Sequence, residues 1–310
     1  MKANTAERWN DVWSKQVRKH NEIIQNDCGS QWQDRTAAKR FWEMTRKNMD
    51  HRLERTLSGF DLSANSRILD VGAGPGNLAI PMACRFAQVT AVEPAEGMTD
   101  LLTDHARAAG RTNIHLVQKR WEEVCCETDL LPPYDLVIAS FSLGMENMKA
   151  AIEKMVHVSS RYVCLLWFAG ETAWDKHSQY LWKTLHNTPY TPMPRCDTLY
   201  NLLYQMGIYP NMEVFTIDHD TVYDSLADAV DQSKRRYQIK NQAQETLLKN
   251  YLEKNLLEKD GHWIQKNSST RVKIWWDVTS QNAGESRDKK GLPSLSRRAP
   301  SPIKSSIGVS

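Results

Sequence analysis

The sequence lacks several features that would assign a protein quickly to a class. In its 310 residues no apolar run approaches the roughly 20 residues that a membrane-spanning helix needs. The N-terminal stretch MKANTAERWNDVWSKQ alternates charges with tryptophan and has no apolar signal-peptide segment. None of the six cysteines forms a CxxC pair or has zinc-finger spacing to histidine. We therefore expect a cytoplasmic protein with no membrane span and no metal site.

The cysteines are too scattered to predict a disulfide framework. Cys84 and Cys164 lie in apolar segments and are expected to be buried. Cys125 and Cys126 follow each other at the end of a short predicted helix. Two ordinary thiols are favoured there over a metal or metalloid site. All six cysteines fit a reducing compartment.

Net charge is also scarce outside one end of the chain. The formal charge is +3, and residues 283–310 hold six Lys or Arg against two acids, a charge of +4 that leaves −1 for the rest. The part of the chain before residue 283 is nearly neutral and does not have the basic surface that nucleic acids require, so we expect no nucleic-acid partner. The segment 281–310 is rich in Ser, Pro and Lys, and we predict a disordered basic tail.

Short apolar runs are present, and they alternate with helical stretches over residues 67–166. The runs are RILDV, QVTAVE, IHLVQ, YDLVIAS and YVCLLWF. Strands that are apolar throughout and are separated by helices indicate a parallel sheet covered on both faces. Right-handed crossovers then predict an α/β fold with a doubly wound, mostly parallel, seven-stranded, Rossmann-like sheet.

The flanking segments complete this prediction. Residues 5–27 and 36–58 are predicted to be helical and to form an N-terminal helical cap over residues 1–60. A charged helical insertion is predicted over residues 222–258, before a last strand at 269–278. The other predicted elements are helices at 174–187 and 196–206 and a strand at 211–217.

The stretch ILDVGAGPG places three glycines directly after the first predicted strand. Gly72, Gly74 and Gly76 let the chain turn tightly at the carboxyl edge of the sheet, where open parallel sheets bind ligands. The helix that follows presents unpaired N–H groups toward the same place. We therefore interpret this loop as a binding site for a nucleotide-like cofactor.

Two acids distinguish between the cofactors that such a loop can bind. Asp70 precedes the loop, where a carboxylate would repel a pyrophosphate but would suit an amino group. Glu93 ends the second predicted strand, 23 residues later, where a carboxylate can accept hydrogen bonds from both ribose hydroxyls. An amino group and a ribose together describe S-adenosylmethionine. We expect the empty pocket around Glu93 to be open to water.

Three successive motifs carry a resemblance to a known family. ILDVGAGPG, AVEPAEGM and YDLVIASFSL resemble, in this order, the motifs of class I S-adenosylmethionine-dependent methyltransferases. The resemblance is to the small-molecule group that includes quinone-biosynthesis enzymes, and it covers residues 64–170 best. It implies a methyltransferase domain over residues 61–280, with S-adenosylmethionine as cofactor and S-adenosylhomocysteine as product.

The same resemblance implies roles for the residues of the first two motifs. Gly72, Ala73 and Gly74 would pass beneath the methionine moiety. Gly76, which lets the next helix pack near the strand, belongs to the same cofactor-binding loop. Asp70 would position the amino group of the methionine moiety, and Glu93 would bind the ribose.

The resemblance also implies an adenine side and a methyl side. Pro94 and Met98 would pack near the adenine, whereas Ala139, Ser140 and Phe141 would border the methionine moiety and the methyl group. One departure from the family pattern concerns an acid that follows the third strand.

Lys119 and Arg120 stand where that acid is expected. Trp121 and Glu122 are expected to replace it by backbone or stacking contacts with the adenine.

The methyl acceptor is expected to be a small molecule. The sequence NPPY, which resembles the signature of methylation at base amino groups, is absent. Aromatic walls suit an apolar or planar acceptor, or a cation held against the rings. The aromatic candidates are Trp9, Trp13, Trp42, Trp167, Phe168, Trp174, Tyr180, Trp182 and Tyr190.

No residue is identified as catalytic, because methyl transfer from a sulfonium needs orientation and at most one base. His177 and His186 lie near the expected substrate side. Two other interpretations stay open. One is a non-catalytic partner or sensor that binds S-adenosylmethionine; the other is a nicotinamide-dependent oxidoreductase, which Asp70 and the GxGxG spacing disfavour.

Overall fold

A computed structural model of the chain describes residues 2–25, 32–46 and 49–280. Eight strands in this part form one mixed sheet in the order β3-β2-β1-β4-β5-β8-β6, with the short β7 paired to β8. The strands are β1 (Arg67–Val71), β2 (Gln88–Val92), β3 (Ile114–Val117), β4 (Tyr134–Ser140), β5 (Ser159–Phe168), β6 (Asn211–Tyr223), β7 (Leu257–Lys259) and β8 (His262–Asp277). The predicted seven-stranded sheet is thus confirmed, with β7 as a short addition.

Ten α-helices of the described residues flank this sheet. They are α1 (Lys2–Ile24), α2 (Arg35–Thr45), α3 (Met49–Leu57), α4 (Ala79–Ala83), α5 (Glu96–Ala108), α6 (Met148–Val158), α7 (Ala173–His186), α8 (Cys196–Gln205), α9 (Leu226–Arg236) and α10 (Gln242–Asn255). Of these helices, none is long and apolar enough to cross a membrane. The predicted tail at 281–310 lies outside the described residues, as do the last residues of the helix expected at 5–27.

The central strands are buried on both faces, which is why they read as continuous apolar runs. β1 lies between β2 and β4, and all three run parallel. Leu69 and Val137 face one hydrophobic core, whereas Ile68 and Leu136 face a second core on the other side of the sheet. Alternation of side chains along each strand therefore fills two layers, and the doubly wound fold is confirmed.

The N-terminal helix contributes to the main core. Trp13 and Val17 of α1 are fully buried in the same cluster as the strands, and the Trp13 indole Nε1 donates to the Met145 carbonyl at 2.8 Å. The predicted division into a cap at 1–60 and a domain at 61–280 stays a prediction. These contacts show that α1 packs directly against the rest of the chain.

The last two long strands extend well past the sheet. β6 pairs with β8 along its whole length, whereas β5 pairs only with residues 271–277 of β8. The remaining parts of β6 and β8 project as a two-stranded ribbon beyond the carboxyl edge. Helices α7, α9 and α10 cluster around this ribbon through Trp182, Tyr223 and Leu248, among others.

The structure corrects several sequence-based expectations here. Residues 222–258 are not one helical stretch: β6 continues to Tyr223, and α9 and α10 are separate helices. Two helices, α2 and α3, lie where one was expected over 36–58. Cys164 is buried as expected, but Cys84 is exposed because α4 ends at Ala83 and leaves this thiol at the helix terminus.

Candidate cofactor site

The glycine loop turns at the carboxyl edge of the sheet, as the sequence predicts. Gly72 has φ +75° and its N–H donates to the Val92 carbonyl at 2.7 Å. A Cβ on Gly72 would lie 2.2 Å from Cβ of Ser142, so no larger residue fits without displacement. Ser142 in turn donates from Oγ to the Val71 carbonyl at 2.5 Å, which ties the end of β1 to the loop after β4.

Gly74 faces open space, in contrast to its neighbours. It has φ +57°, and a Cβ at this position would meet no atom within 4 Å. A Cβ on Gly76 would instead contact the Ile80 side chain at 2.6 Å, and Ala73 is nearly buried. The loop therefore presents its free backbone surface at Gly74, where a ligand can approach closely.

Glu93 is held firmly by the backbone around it. Its carboxylate accepts from the Gly74 N–H at 2.9 Å and from the Ala95 N–H at 3.0 Å, and the residue is only 7% exposed. Burial raises the pKa of Glu93, and these two backbone hydrogen bonds oppose the rise. The expectation of a water-open pocket at Glu93 is therefore wrong. Each carboxylate oxygen still has a second lone pair for a ligand hydroxyl.

Asp70 is a buried acid with an unsatisfied oxygen. It lies one residue before the end of β1, it is 1% exposed, and its Oδ2 has no hydrogen-bond partner among the described residues. Burial raises the pKa of Asp70 to about 7, while Arg52 lowers it and Glu93 raises it further. An isolated buried carboxylate is costly, so this position favours a cationic ligand group.

Arg52 of α3 is the cation whose charge acts on this acid, and the sequence analysis missed it. Its Nη2 donates to Oγ of Ser140 at 3.0 Å, and its Nε is buried without a partner among the described residues. Burial lowers the pKa of Arg52, and the charge of Asp70 opposes that shift. One unsatisfied donor and one unsatisfied acceptor, whose charges interact, therefore lie at the end of the sheet where β1 and β4 finish.

The end of β4 lies against this pair of charges. Ala139 is fully buried, Ser140 is 9% exposed, and Phe141 has a positive φ of +57° that is unusual for a large side chain. The Phe141 N–H donates to the Leu166 carbonyl at 3.0 Å, which holds the turn in place. Strained backbone of this kind is concentrated at functional sites.

The predicted adenine contacts are placed less favourably. Met98 is 3% exposed in a cluster that includes Ala38 of α2, and Pro94 is half-buried. The Trp121 side chain belongs to the main core and donates from Nε1 to the Ala151 carbonyl at 3.1 Å. Because its side chain is engaged in the core, Trp121 could contact the adenine through its backbone. Glu122 is exposed, and the adenine roles stay predictions.

Three of the nine aromatic candidates are core packing residues. Trp13, Trp167 and Trp182 are almost fully buried in hydrophobic cores. Phe168, at the carboxyl end of β5, and Trp174, in the first turn of α7, are both half-buried and lie in edge-to-face contact, with ring centroids 5.3 Å apart. These two rings remain candidates for an acceptor site.

Neither histidine candidate points to catalysis. His177 Nδ1 lies 2.5 Å from the Tyr251 hydroxyl, and His186 Nε2 lies 2.9 Å from the Tyr237 carbonyl. Both contacts join α7 to the residues around α9 and α10. These histidines therefore help to hold the helical cluster together.

Comparison with known proteins places this geometry in a class. Residues 68–161 match the model of the methyltransferase domain family. An uncharacterized protein of Haemophilus influenzae is 26% identical over 159 residues, which cover 51% of this chain and 57% of that protein. The 23S rRNA (uracil(1939)-C(5))-methyltransferase RlmD of Pseudomonas aeruginosa is 31% identical over 121 residues, which cover 36% of this chain and 26% of that enzyme. The chain thus spans little more than half the length of one curated relative and about a quarter of the other.

A solved structure shows the same fold. A Bacillus halodurans protein assigned as a methyltransferase aligns with a TM-score of 0.52 at 13% identity, covering 75% of this chain and 99% of that chain. The chain therefore contains a methyltransferase domain with the class I fold, and S-adenosylmethionine is the cofactor of such a domain. The resemblance to the class I family is confirmed; the narrower resemblance to quinone-biosynthesis enzymes is not shown.

Proposed function

We propose that this chain is an S-adenosylmethionine-dependent methyltransferase that transfers the methyl group in line to a small-molecule acceptor. The observation that carries the proposal is the pair of unsatisfied buried atoms, Asp70 Oδ2 and Arg52 Nε, beside the glycine loop. Buried polar atoms without partners are rare in folded proteins, and at a sheet's carboxyl edge they indicate a ligand with matching groups.

The methionine end of the cofactor matches this pair. Its α-carbon carries an ammonium and a carboxylate, so one group can bind Asp70 while the other binds Arg52. Both contacts would be charge-assisted hydrogen bonds, which are stronger than neutral ones. Arg52 also donates to Ser140 at the end of β4, which orients the guanidinium toward the methyl side.

The nucleoside part is assigned to Glu93 and the loop. The two backbone donors to Glu93 fix its carboxylate, so its remaining lone pairs are directed before a ligand arrives. The open space at Gly74 leaves room for the cofactor above the loop. Preorganisation of this kind reduces the entropic cost of binding.

The chemistry proposed for the chain is mainly orientation. S-adenosylmethionine, when bound, supplies a methyl group on a good leaving group. The chain holds the cofactor at Asp70, Arg52 and Glu93, and it borders the acceptor with Phe141 and Phe168. Positioning alone can contribute several kcal/mol to such a reaction, on the order of 7 or more in favourable cases.

Two ligands that differ only at the methionine end test the assignment. S-adenosylhomocysteine carries the amino acid group, whereas 5′-deoxy-5′-methylthioadenosine lacks it. We expect Arg52→Gln and Asp70→Asn to weaken binding of S-adenosylhomocysteine by about 10- to 100-fold and to leave methylthioadenosine binding unchanged, as measured by calorimetry. Equal losses for both ligands, or none, would contradict the assignment.

Turnover is tested separately from binding. Wild type, incubated with a cell extract and labelled S-adenosylmethionine, is expected to label a low-molecular-weight compound and to release S-adenosylhomocysteine. Arg52→Gln is the control, because it should bind the cofactor poorly at the same concentration. Tight binding without turnover would identify a non-catalytic partner or sensor instead.

A further inference from the structure

A second arginine lies next to the proposed methyl side. Arg271 is on β8, paired in register with Phe168 of β5 and with Phe215 of β6, at the carboxyl edge of the sheet. Its guanidinium carbon lies 4.8 Å from the Phe141 ring centroid and 6.0 Å from that of Phe168. Arg271 therefore borders the rings that enclose the acceptor.

The charge of Arg271 is not neutralised within the part of the chain that the structure describes. No described carboxylate lies within ion-pairing distance, and its Nε donates to Oγ of Ser269 at 2.9 Å. Burial lowers the pKa of Arg271 to about 10, with a further contribution from Arg52. A half-buried guanidinium held between aromatic rings, with another arginine nearby, is costly without an anion.

Three other arginines lie in the same region. Arg195 contacts Asp175. Arg55 stacks on Phe215 with its guanidinium carbon 4.1 Å from the ring centroid, and its Nη1 is buried without a partner among the described residues. Arg52 is assigned to the cofactor carboxylate. Arg271 is thus the arginine that contacts both Phe141 and Phe168 and is not assigned to the cofactor.

We propose that Arg271, together with Phe141 and Phe168, binds the carboxylate of a planar acceptor. This inference rests on the proposed function, since it names the acceptor of the same site. The guanidinium fork matches a carboxylate in geometry, and the rings match a planar body. One guanidinium fork pairs with one carboxylate, whereas the second charge of a phosphate would need a further partner at the same place.

A series of ring contacts connects the surroundings of Arg271 to a surface groove. The Phe141 and Phe168 ring centroids are 5.1 Å apart, and the Phe168 ring in turn contacts the Trp174 ring. His219 lies 6.0 Å from Trp174 and also lines a groove of about 640 Å³.

The other charged residues of that groove are Asp218, Asp220 and Lys266, and Lys266 is paired with Asp220. The acids therefore favour an anion at Arg271, deep in the site, over one in the groove itself.

Benzoate and its neutral relative benzamide test the inference. Wild type is titrated with each compound by calorimetry, with and without saturating S-adenosylhomocysteine. We expect benzoate to bind about tenfold or more tightly than benzamide, and phenyl phosphate to bind no better than benzoate. Arg271→Gln should abolish the preference for benzoate and leave the affinity for S-adenosylhomocysteine unchanged.

Two variants serve as controls. Arg161→Gln removes a guanidinium that lies 4.7 Å from the Tyr162 ring centroid at the other end of β5, where it is paired with Asp61, and it should keep the benzoate preference. Arg271→Lys keeps the charge without the fork and should bind benzoate with intermediate affinity. This variant decides the question if Arg271→Gln does not fold.

Three results would overturn the inference. They are equal binding of benzoate and benzamide by wild type, tighter binding of phenyl phosphate, and a loss of S-adenosylhomocysteine affinity in Arg271→Gln. The last result would assign Arg271 to the cofactor. A failure of wild type to bind S-adenosylhomocysteine would count against the proposed function, while the benzoate titration without that ligand still decides the role of Arg271.

Discussion

Position 72 requires glycine because of its contact with Ser142. Its positive φ alone makes a side chain unfavourable, and the Ser142 side chain fills the space that a Cβ would need. Gly110 is a matched control, since it has φ +62° but no atom within 4 Å of a Cβ. We expect Gly110→Ala to lower the free energy of unfolding by about 1 kcal/mol and Gly72→Ala by about 3 kcal/mol.

Urea unfolding of the two variants measures this difference. Gly72→Ala should also weaken S-adenosylhomocysteine binding, because displacing Ser142 disturbs its hydrogen bond to the end of β1. Equal destabilisation by the two substitutions would show that the loop accommodates a methyl group at Gly72.

Asp70 makes the stability of the ligand-free protein depend on pH. Its pKa is raised to about 7 when folded, chiefly by burial, from a model-compound value of 3.8. The folded state therefore keeps a proton that the unfolded chain releases, and the associated stability is present below about pH 4 and lost as pH rises through about 7. Asp70→Asn cannot ionise, so its stability relative to wild type should rise across this window, by at most about 1.4 kcal/mol per pH unit.

Unfolding midpoints of wild type and Asp70→Asn at pH 5 and pH 8 test this sign. The difference between the two proteins isolates Asp70 from the other titrating groups. A difference that is constant with pH would mean that Asp70 is already ionised in the folded protein at pH 5.

Residue identity allowed part of the site to be predicted. Asp70, Glu93 and the glycines follow strands in one short stretch of sequence, so their meeting at the sheet edge could be inferred from local patterns. Arg52 could not, because its approach to Ser140 depends on how α3 packs across 88 residues of sequence. Arg271 could be predicted only weakly from the sequence. It is a charged residue next to the apolar Val272 in a predicted strand, and this strand pairs with the buried strand β5.

At the scale of elements, the strands were the most predictable part. RILDV and YDLVIAS coincide with β1 and β4, because strands buried on both faces are apolar from end to end. The length of the ribbon was underestimated, since residues 218–221 of β6 are all polar and give no apolar strand pattern. Its length is set by pairing with β8, which is distant in sequence and separated from it by α9 and α10.

Helix α1 gives a test at the same scale. Trp13 is fully buried, and its indole donates to the Met145 carbonyl. We expect Trp13→Ala to reduce the free energy of unfolding by about 3–5 kcal/mol, because it leaves a cavity and an unpaired carbonyl. The neighbouring Val12 is 38% exposed, and Val12→Ala should cost no more than about 0.5 kcal/mol.

Chemical denaturation of both variants provides the measurement. The two substitutions lie side by side on one helix, so a general effect on helix formation would appear in both. Similar small losses would indicate that α1 is a dispensable cap instead of a part of the core.

For the molecule as a whole, cofactor binding should be visible as added stability. The residues proposed to bind the cofactor lie on α3, on β1 and at the ends of β2 and β4. The site therefore exists only when these elements are assembled. A ligand that binds only the folded state stabilises it by about 2.7 kcal/mol at 100 times its Kd. For a chain of this size we expect S-adenosylhomocysteine at that concentration to raise Tm by about 5 °C.

Glu93→Ala should nearly abolish this rise. Loss of two hydrogen bonds to a charged acceptor weakens binding by about 100-fold, so the same ligand concentration would then equal the Kd and add only about 0.4 kcal/mol. The variant should also melt lower without ligand, because the Gly74 and Ala95 N–H groups lose their acceptor. The shift in Tm on adding ligand is therefore the quantity to compare, measured by differential scanning calorimetry. Glu96→Ala, an exposed acid three residues away, should retain the wild-type shift. A Glu93→Ala shift within about 1 °C of wild type would remove Glu93 from the ribose site.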